Sequence, residues 1–445
     1  MTFSRTNILL PHDRSCDAMQ KWSVIACDQY TSQREYWQSV DDFVGDSPSA
    51  LRLIMPEVYL DDDDMDVKLN KISDTMSDYL KKGTFDEIKN SYIYVERTLA
   101  NGAVRRGIVG AVDLEDYDYN LGSQTKIRAT EGTVVSRIPP RLAVRSRAQI
   151  ELTHIMMLID DREHDIIESN SAVKDSFEKL YDFSLMKNSG SVVGCKMTDE
   201  AAERLEKRLA QLSEQSVFEE KYGIKGKPPL VFAMGDGNHS LATAKAYYEY
   251  VKQTIGDEKA KASLARYALC ELVNLHDSSL VFEAIHRVVF GVDEEKFAAA
   301  LEKEFDVSYD VGAKGQSFVL VIGGEKRKVT VTNPREVLTV ATVQGFIDKY
   351  IAENGGTVDY IHGDDVVCDL CAKSGNVGIL LEPMDKNDLF RSVILDGALP
   401  RKTFSMGEAC DKRFYIEARV INDGSESVLA ENLTNAYSFG IIGDA

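Results

Sequence analysis

The chain has 445 residues, more than one ordinary hydrophobic core accommodates, and its 44% hydrophobic and 28% charged residues are typical of globular proteins. The net charge of −20 argues against binding to nucleic acid or to an anionic membrane, and no apolar run approaches the roughly 18 residues of a transmembrane helix. Seven scattered cysteines and an N-terminus without a secretory h-region predict a reducing, cytoplasmic setting rather than a disulfide framework.

The first part of the chain, residues 1–125, predicts mixed α/β structure. Apolar residues spaced as on one face of a helix make 66–82 its clearest helix. The turn residues Asn101 and Gly102 separate two segments of strand composition and predict a hairpin. The predictions for this part are a strand at 22–26, helices at 32–43 and 66–82, and strands at 91–98 and 106–114.

The remainder of the chain predicts further helices and strands. We assign 142–151 and 157–176 to helices or their flanks, and 198–219 to a strong helix. The later predictions are a strand at 265–274, a helix at 294–305, a hairpin of 318–322 and 326–332, strands at 375–381 and 409–420, and a short helix at 427–435.

We therefore expect an α/β fold built on a mixed sheet, with more than one compact part. Residues 1–289 are predicted to form the main α/β domain. Residues 290–378 are predicted to form a smaller accessory α/β domain, and 379–445 a segment that returns to the main domain.

The stretch LVFAMGDGNHSLATAKAYYEYVK, residues 230–252, carries the most chemical information. An apolar run predicts a buried strand, a polar glycine-containing turn follows, and a helical pattern then begins. Backbone N–H groups and the helix dipole converge on an anion at such a place. The turn therefore predicts a phosphate site, and its members are Gly235, Asp236, Gly237, Asn238, His239 and Ser240.

An ordinary structural turn is the alternative interpretation of this segment. In that case Asn238 or Ser240 serves as a helix N-cap, Asp236 is a turn residue, and His239 is packed or solvated. The segment has neither the ending of a P-loop nor the glycine spacing of a Rossmann turn. The pattern alone does not decide between the two interpretations.

The segment resembles the DGHHR-type motif of the domain-of-unknown-function family 1015, and the resemblance extends over most of the chain. It includes the stretches KWSVIACDQYTSQREYW (21–37), LRLIMPEVYL (51–60), RATEGTVVSRIPPR (128–141), LVNLHDSSLVFEAIHRV (272–288) and LPRKTFSMGEA (399–409). The motif is also similar to the DGHHR box of ParB/sulfiredoxin-like serine kinases. Asp236, Gly237 and His239 match it, whereas Asn238 replaces its first His and Ser240 replaces its Arg.

This resemblance implies a ParB/sulfiredoxin-like core and a motif placed against nucleotide phosphates. The implied cofactor is Mg²⁺ with a nucleotide, ATP or ADP, and Asp236 is the implied metal ligand. An amino-acid hydroxyl is the implied acceptor. The replacement of the Arg by Ser240 removes a bidentate phosphate donor from the pattern.

A basic segment stands out in the acidic chain. Between residues 119 and 150 the only acid is Glu131, while the basic residues include Arg137 and Arg141. Such a cluster favours a small anionic metabolite as the partner. Pairing of each arginine with acids elsewhere in the chain remains the alternative.

Further candidates lie outside the motif. His286 and Arg287, in an apolar segment, are candidates to bind phosphate or carboxylate, and the same pair recurs in the family pattern. Glu35 and Glu131 are candidate acid/base groups, as is Asp28, which follows a predicted strand. The remaining interpretations concern Tyr30 and Trp37 as an aromatic wall, His276 and His362 as proton-transfer or surface groups, and Cys368 and Cys371 as core residues on a helix.

Together these patterns predict an enzyme of small-molecule metabolism that transfers a phosphoryl group, in the manner of a kinase. Asp236 orients a hydroxyl or binds Mg²⁺, His239 donates to the phosphate, and Arg137, Arg141 and Arg287 neutralise the transferred group. A non-catalytic sensor that binds a nucleotide or metabolite at the same turn is the second hypothesis, because no complete catalytic signature is present.

Overall fold

The structure of the protein is a computed structural model that describes residues 1–60, 62–120, 122–310 and 312–422, without the side chains of Ser136 and Ser405. Its contacts divide the chain into two compact units. Unit 1 contains Met1–Ala129 and Thr133–Leu280 and takes up the chain again at Glu408. Unit 2 contains Thr130–Gly132 and Val281–Gly407.

The helices of the described residues are α1 Cys16–Trp22, α2 Arg34–Val44, α3 Met65–Lys81, α4 Ile138–Arg147, α5 Asp199–Leu212, α6 Gln215–Tyr222, α7 Asn238–Ile255, α8 Asp257–Ala262, α9 Glu294–Glu304, α10 Thr339–Asn354, α11 Asp364–Cys371 and α12 Lys386–Leu395. Three of them begin at side-chain caps, and that of α12 is Asp385, which accepts from the backbone of Asn387. Thr198 accepts a hydrogen bond from the backbone of Ala201 at the start of α5, and Asp293 does so from Lys296 at the start of α9. Among these residues no helix is both long and apolar enough to cross a membrane.

The strands of the described residues are β1 Phe3–Ser4, β2 Thr6–Pro11, β3 Val24–Ile25, β4 Phe85–Ser91, β5 Ile93–Thr98, β6 Val104–Asp113, β7 Tyr117–Asp118, β8 Ile127–Arg128, β9 Ile150–Leu152, β10 Met156–Ile159, β11 Glu178–Ser184, β12 Ser191–Lys196, β13 Phe232–Asp236, β14 Tyr267–Asn274, β15 Phe282–Ala284, β16 His286–Phe290, β17 Val307–Ser308, β18 Gln316–Ile322, β19 Glu325–Val331, β20 Thr357–Ile361, β21 Asn376–Leu380, β22 Phe404–Met406, β23 Phe414–Tyr415 and β24 Ala418–Val420.

The largest sheet of unit 1 positions the motif. Its strand order is β11-β12-β5-β6-β14-β10-β13-β8-β7, and β1 also pairs with β6. Strand β10 runs parallel to β14 and antiparallel to β13, with Met156 opposite Asp236. The carboxyl end of β13 therefore lies beside the amino end of β10, which brings the turn after β13 next to the residues that precede β10.

Both faces of this sheet are covered by hydrophobic cores. Successive strand residues point to opposite faces, and in β5 the side chain of Tyr94 packs on one face whereas Ile93 and Val95 pack on the other. The first core takes in apolar residues of α5 and α7. The second takes in residues of α1, α2 and α3 and of a smaller sheet, ordered β4-β2-β24-β9. Strands β3 and β23 form a further antiparallel pair in unit 1.

Unit 2 is built on its own antiparallel sheet, ordered β17-β19-β18-β21-β16-β20, with β15 and β22 as a separate pair. Its core on this sheet includes Val288, Val321, Val367 and Leu380. The rings of Phe297 on α9 and Phe346 on α10 meet edge to face, with centroids 5.1 Å apart. Both units thus mix helices and sheets, so the mixed α/β fold is confirmed.

Most long elements occur where the sequence places them. Helices α2 and α3, the hairpin of β5 and β6, strand β13 with helix α7, and the hairpin of β18 and β19 match their predicted segments within a few residues. The predicted helix at 198–219 is two helices, α5 and α6, with a break at Ser213 and Glu214. The predicted helix at 427–435 lies outside the described residues.

Other expectations differ from the structure. The assignment of 157–176 to a helix or its flanks is wrong, because Met156–Ile159 is a strand between β13 and β14 and short 3₁₀ turns follow it. The periodicity of so short an apolar run does not distinguish a strand from a helix. Trp22 ends α1 instead of starting a strand. The segment at 375–381 forms β21, which pairs with β16 and β18 in the sheet of unit 2, and the chain rejoins unit 1 at Glu408.

Candidate functional site

The motif forms a strand, a tight turn and a helix. Strand β13 ends at Asp236, Gly237 has φ 77° and ψ 28°, and α7 begins at Asn238. No side chain caps α7, and its first helical hydrogen bond runs from the Leu241 N–H to the Gly237 carbonyl, at 3.0 Å. The first turn of an uncapped helix presents N–H groups and the positive end of the helix dipole. An anion is stabilised at such a place.

Two properties require glycine at position 237. Its φ lies in the left-handed region, which residues with a Cβ rarely adopt. A Cβ at this position would also lie 3.1 Å from Ile155 Cα and 3.3 Å from Ile155 Cγ1. The turn therefore packs directly on the backbone that leads into β10. Gly237 occupies the N-cap position of α7. Neither Asn238 nor Ser240 is therefore an N-cap, which differs from the interpretation of the segment as an ordinary structural turn.

Asp236 carries the negative charge of the turn. One carboxylate oxygen accepts the Gly237 N–H at 2.9 Å, and the other lies 3.4 Å from the ammonium of Lys412. The two side chains are 21% and 15% exposed, so this ion pair is reachable from solvent. Sequence reasoning missed Lys412, since no local pattern around it indicates a site.

The segment that carries Lys412 is held by buried arginines. Arg97 donates to the carbonyl of Cys410 at 3.2 Å, and Arg105 donates to the carbonyl of Asp411 at 2.9 Å. These two arginines lie opposite each other on β5 and β6, and both are buried. The main sheet therefore fixes the position of residues 410 and 411, directly before Lys412.

Ser240 contacts a histidine that sequence reasoning also missed. Ser240 Oγ lies 2.9 Å from His154 Nε2, and His154 Nδ1 lies 2.8 Å from the Tyr415 hydroxyl. The Cys27 N–H donates to that same hydroxyl at 3.3 Å. His154 stands just before β10 and Tyr415 ends β23, so only the sheet pairing brings them to the turn. No sequence pattern indicated His154, because this residue lies in no recognised motif.

The two central residues of the motif have different surroundings. His239 Nε2 accepts the Val134 N–H at 3.4 Å, which places the ring proton of a neutral His239 on Nδ1. The Asn238 side-chain oxygen is buried, and no donor among the described residues reaches it. An unpaired acceptor of this kind is costly unless a water, an ion or a ligand satisfies it.

The basic segment does not form one cluster. Arg141 pairs with Glu57, and Arg128 donates to the carbonyls of Thr125 and Pro228 at 2.9 and 3.0 Å. The other pairs are Lys126 with Asp116 at 3.6 Å, Arg145 with Glu151 at 2.7 Å, and Arg147 with Asp66 at 3.0 Å. Pairing with acids elsewhere in the chain, the alternative interpretation, thus describes most of these residues. Arg137 has an exposed side chain.

Three candidates belong to unit 2, whereas the motif belongs to unit 1. Arg287 is fully buried and donates to Gln344 at 3.2 Å and to the carbonyls of Ile285, Arg401 and Lys402. Burial lowers the pKa of Arg287 to about 10. His286 lies 3.0 Å from Asp364, and burial lowers the pKa of His286. Glu131 forms an isolated bridge with Leu399.

The remaining candidates of the 21–37 stretch lie in unit 1. Glu35 is exposed in the first turn of α2, and Asp28 accepts a hydrogen bond from the Gln29 side chain at 2.9 Å. Tyr30 stacks on Tyr36, with ring centroids 3.8 Å apart, and Trp37 is buried. The predicted aromatic wall is therefore a half-buried stack packed against the core, together with the buried Trp37.

The donor set bears on Mg²⁺ binding. No group of three or more His, Cys, Asp or Glu residues within the described ranges is arranged to hold a metal ion. Mg²⁺ usually takes one or two carboxylates and completes its shell with phosphate oxygens and waters. Asp236 fits that pattern only as a ligand shared with a bound phosphate.

Cys368 and Cys371 lie on α11 as expected, and Cys371 is buried.

Several solved structures are similar to the chain at low scores. Free serine kinase in complex with AMP has a TM-score of 0.36 and 12% identity and covers 69% of this chain and 90% of its own. SbnI with a C-terminal truncation from Staphylococcus aureus has 0.34 and 10% and covers 75% and 95%. A conserved hypothetical protein from Pyrococcus furiosus has 0.34 and 12% and covers 70% and 94%.

The family is established by the sequence itself. No curated protein matches the chain. Residues 11–350, well over half of the chain, match the family described as "Protein of unknown function (DUF1015)". The matched range contains the whole motif and the preceding stretches that carry the resemblance. The chain therefore belongs to the DUF1015 family.

Proposed function

We propose that the protein is a phosphotransferase that moves a phosphoryl group between a nucleotide and a small hydroxylated metabolite. The observation that carries the proposal is the ion pair of Asp236 and Lys412, 3.4 Å apart, at the uncapped start of α7. Phosphoryl transfer requires positive charge at the phosphate and a carboxylate that positions the hydroxyl or a metal ion. Asp236 and Lys412 bring both groups together at this turn.

The positive side of the site consists of Lys412 and the first turn of α7. Helix N-termini bind phosphate through backbone N–H groups, and a lysine adds a point charge beside them. We assign the backbone of Gly235–Ser240 to phosphate binding, with Asn238 and His239 as side-chain contacts. His239 donates from Nδ1, because Nε2 accepts the Val134 N–H.

The negative side is Asp236. Its carboxylate is poised to accept the proton of an attacking hydroxyl or to bind a metal ion that the phosphates share. Bound Mg²⁺ would neutralise charge on the phosphate oxygens. Among the candidates outside the motif, exposed Glu35 and Arg137 remain accessible in unit 1, whereas Arg141 is paired with Glu57.

A sensor that binds a nucleotide or metabolite without turnover is the second candidate function. The observation in its favour is that the Asp236 carboxylate is already engaged in an ion pair with Lys412. In this role the turn and Lys412 bind an anion, and the bound state is read by a partner. Binding without product formation over a panel of acceptors would select this function.

Calorimetric titration with ATP, ADP, AMP and inorganic phosphate, with and without Mg²⁺, tests the proposal. We expect binding of a nucleotide, and we expect Lys412→Ala to weaken it about 10- to 100-fold, because a charge-assisted contact contributes about 1.5–3 kcal/mol. The matched control is Lys82→Ala, which removes an exposed lysine paired with Asp78. Equal affinities of the wild type and Lys412→Ala would contradict the site.

Product formation is then tested with hydroxylated acceptors. Serine is the first choice, because free serine kinase is among the similar solved structures. The assay follows transfer of labelled phosphate to the acceptor by chromatography. Binding of nucleotide with no transfer to any hydroxylated amino acid or sugar would contradict the phosphotransferase and support the sensor function instead.

A further inference from the structure

Ser240, His154 and Tyr415 form a continuous chain of side chains in unit 1. The serine oxygen is 2.9 Å from one ring nitrogen of His154, and the tyrosine oxygen is 2.8 Å from the other. The two rings meet edge to face, with centroids 5.3 Å apart. His154 is 7% exposed and Tyr415 is 2% exposed, so the ring is held between fixed partners.

This arrangement meets the geometric criterion for an activated nucleophile. A nucleophile and its base lie within about 2.6–3.2 Å, and a third group orients the base. A serine in the first turn of a helix ordinarily bonds to backbone groups or water. Here its hydroxyl instead meets the edge of a nearly buried imidazole, whose second nitrogen is also engaged.

The surroundings of Tyr415 specify which nitrogen acts as the base. The Cys27 N–H donates to the tyrosine oxygen, and the Cys27 thiol lies against the same hydroxyl. Burial, followed by the Asp28 carboxylate, raises the pKa of Cys27 to about 12, so the thiol stays protonated. With the tyrosine proton directed to the sulfur, the tyrosine oxygen accepts from His154 Nδ1, and this tautomer presents the Nε2 lone pair to Ser240.

We propose that Ser240 is a nucleophile that carries the phosphoryl group as a covalent intermediate, with His154 as its base and Tyr415 as a positioning residue. The proposal rests on the proposed function, since it requires a nucleotide phosphate at the same turn. It also assigns a role to the residue that replaces the Arg of the commoner motif.

The transfer takes place in two half-reactions, and each conserves bonds and protons. In the first, Ser240 Oγ forms a bond to the terminal phosphorus, the bond from that phosphorus to the bridging oxygen breaks, and the serine proton moves to His154 Nε2. The shortened nucleotide leaves with the electron pair. In the second, the acceptor oxygen forms the bond to phosphorus and gives its proton to Asp236. The Ser240 Oγ–P bond breaks, and His154 returns the proton to Ser240.

The start of α7 favours the covalent intermediate. Ser240 lies in the first turn of α7, where the helix dipole stabilises the added phosphate.

The test is the intact mass of the full chain after incubation with ATP and Mg²⁺, and with ADP and Mg²⁺, without acceptor. We expect addition of one phosphoryl group, located at Ser240 by peptide mapping, and isotope exchange between the nucleotide and its shortened product. Ser240→Ala abolishes both signals but still binds nucleotide, because the backbone N–H groups remain. Ser216→Ala, at an exposed serine of α6, is the matched control and keeps both signals.

Two further variants separate a catalytic from a structural role. His154→Gln lowers the rate of phosphorylation at least about 100-fold, as loss of a general base does. Tyr415→Phe lowers the rate about tenfold with an unchanged dissociation constant for the nucleotide, since it removes only the hydroxyl that orients the base.

The outcomes distinguish this proposal from the proposed function. A wild-type protein that binds nucleotide and phosphorylates an acceptor, but shows neither phosphoserine nor isotope exchange, overturns the intermediate alone. A label that persists in Ser240→Ala overturns it as well. A wild-type protein that binds no nucleotide overturns both.

Discussion

The ammonium of Lys412 lies 3.4 Å from the carboxylate of Asp236, although 175 residues separate them in the chain. The contact arises because β13 ends beside the segment that Arg97 and Arg105 hold by its carbonyls. A cation is thus placed at the start of α7 without any local sequence pattern. The net charge at the turn therefore depends on Lys412 as well as on the residues of the motif.

Asp236→Asn separates binding from turnover. We expect turnover to fall at least about 100-fold, since the group that accepts the proton or binds the metal is lost. Nucleotide affinity measured without Mg²⁺ is not weakened, because Lys412 is released from its partner. Measurement of transfer rates and of dissociation constants by calorimetry checks both. Asp199→Asn, at an exposed carboxylate paired with Arg5, is the control; unaltered turnover in Asp236→Asn would remove this residue from the mechanism.

Gly237→Ala is expected to destabilise the protein by about 2–4 kcal/mol, the sum of a strained φ and a crowded Cβ. The control is Gly223→Ala, which has a similar positive φ of 66° at the end of α6 but nothing within 4 Å of its Cβ. Gly223→Ala therefore measures the cost of the strained φ alone, a loss of stability of about 1–2 kcal/mol. Urea unfolding measures both, and equal losses would show that the packing on Ile155 contributes nothing.

The opposite end of β10 carries a second polar cluster. Asp160 follows this strand and is 3% exposed, and its carboxylate contacts His276 at 2.7 Å, Tyr222 at 2.8 Å and Lys221 at 3.3 Å. Burial by itself raises the pKa of Asp160, but these partners outweigh it and hold the pKa at about 2, below the ordinary 3.8.

The stability contributed by Asp160 therefore depends on pH. Because its folded-state pKa is the lower one, the contribution is complete above about pH 4 and is lost as the pH falls through about 2. It amounts to about 2 kcal/mol. Asp160→Asn should lose this stability at pH 7 and approach the wild type between pH 4 and pH 2. Urea unfolding at a series of pH values measures the difference; a constant difference across that range would contradict the assignment.

Arg287→Lys tests the structural role of a residue that the sequence offers as a phosphate ligand. Lysine cannot reach the four acceptors that the guanidinium contacts, so we expect a loss of stability of about 2–4 kcal/mol. Nucleotide affinity stays the same, because the residue is buried in unit 2. Thermal unfolding and calorimetry are the measurements. A tenfold loss of affinity in a folded variant would restore Arg287 as a ligand.

Local pattern predicted the elements whose signal lies within a few residues. The apolar period of α3, the Thr198 cap of α5 and the glycine turn before α7 are signals of this kind. The failure at 157–176 has the same origin, because the apolar run Met156–Ile159 is compatible with either period. The membership of β21 in the sheet of unit 2 depended on its partners β16 and β18, which pattern does not reveal.

The sequence by itself determined the turn of the candidate site: a strand end, a glycine that accepts a positive φ, and a helix start with Asp236, Asn238, His239 and Ser240. Only the tertiary structure decided its chemistry, by bringing His154, Lys412 and Tyr415 to that turn and placing Arg287 in another unit. The reason is physical. Backbone conformation follows from neighbouring residues, whereas charge and proton transfer depend on side chains that sheet pairing brings together from distant parts of the chain.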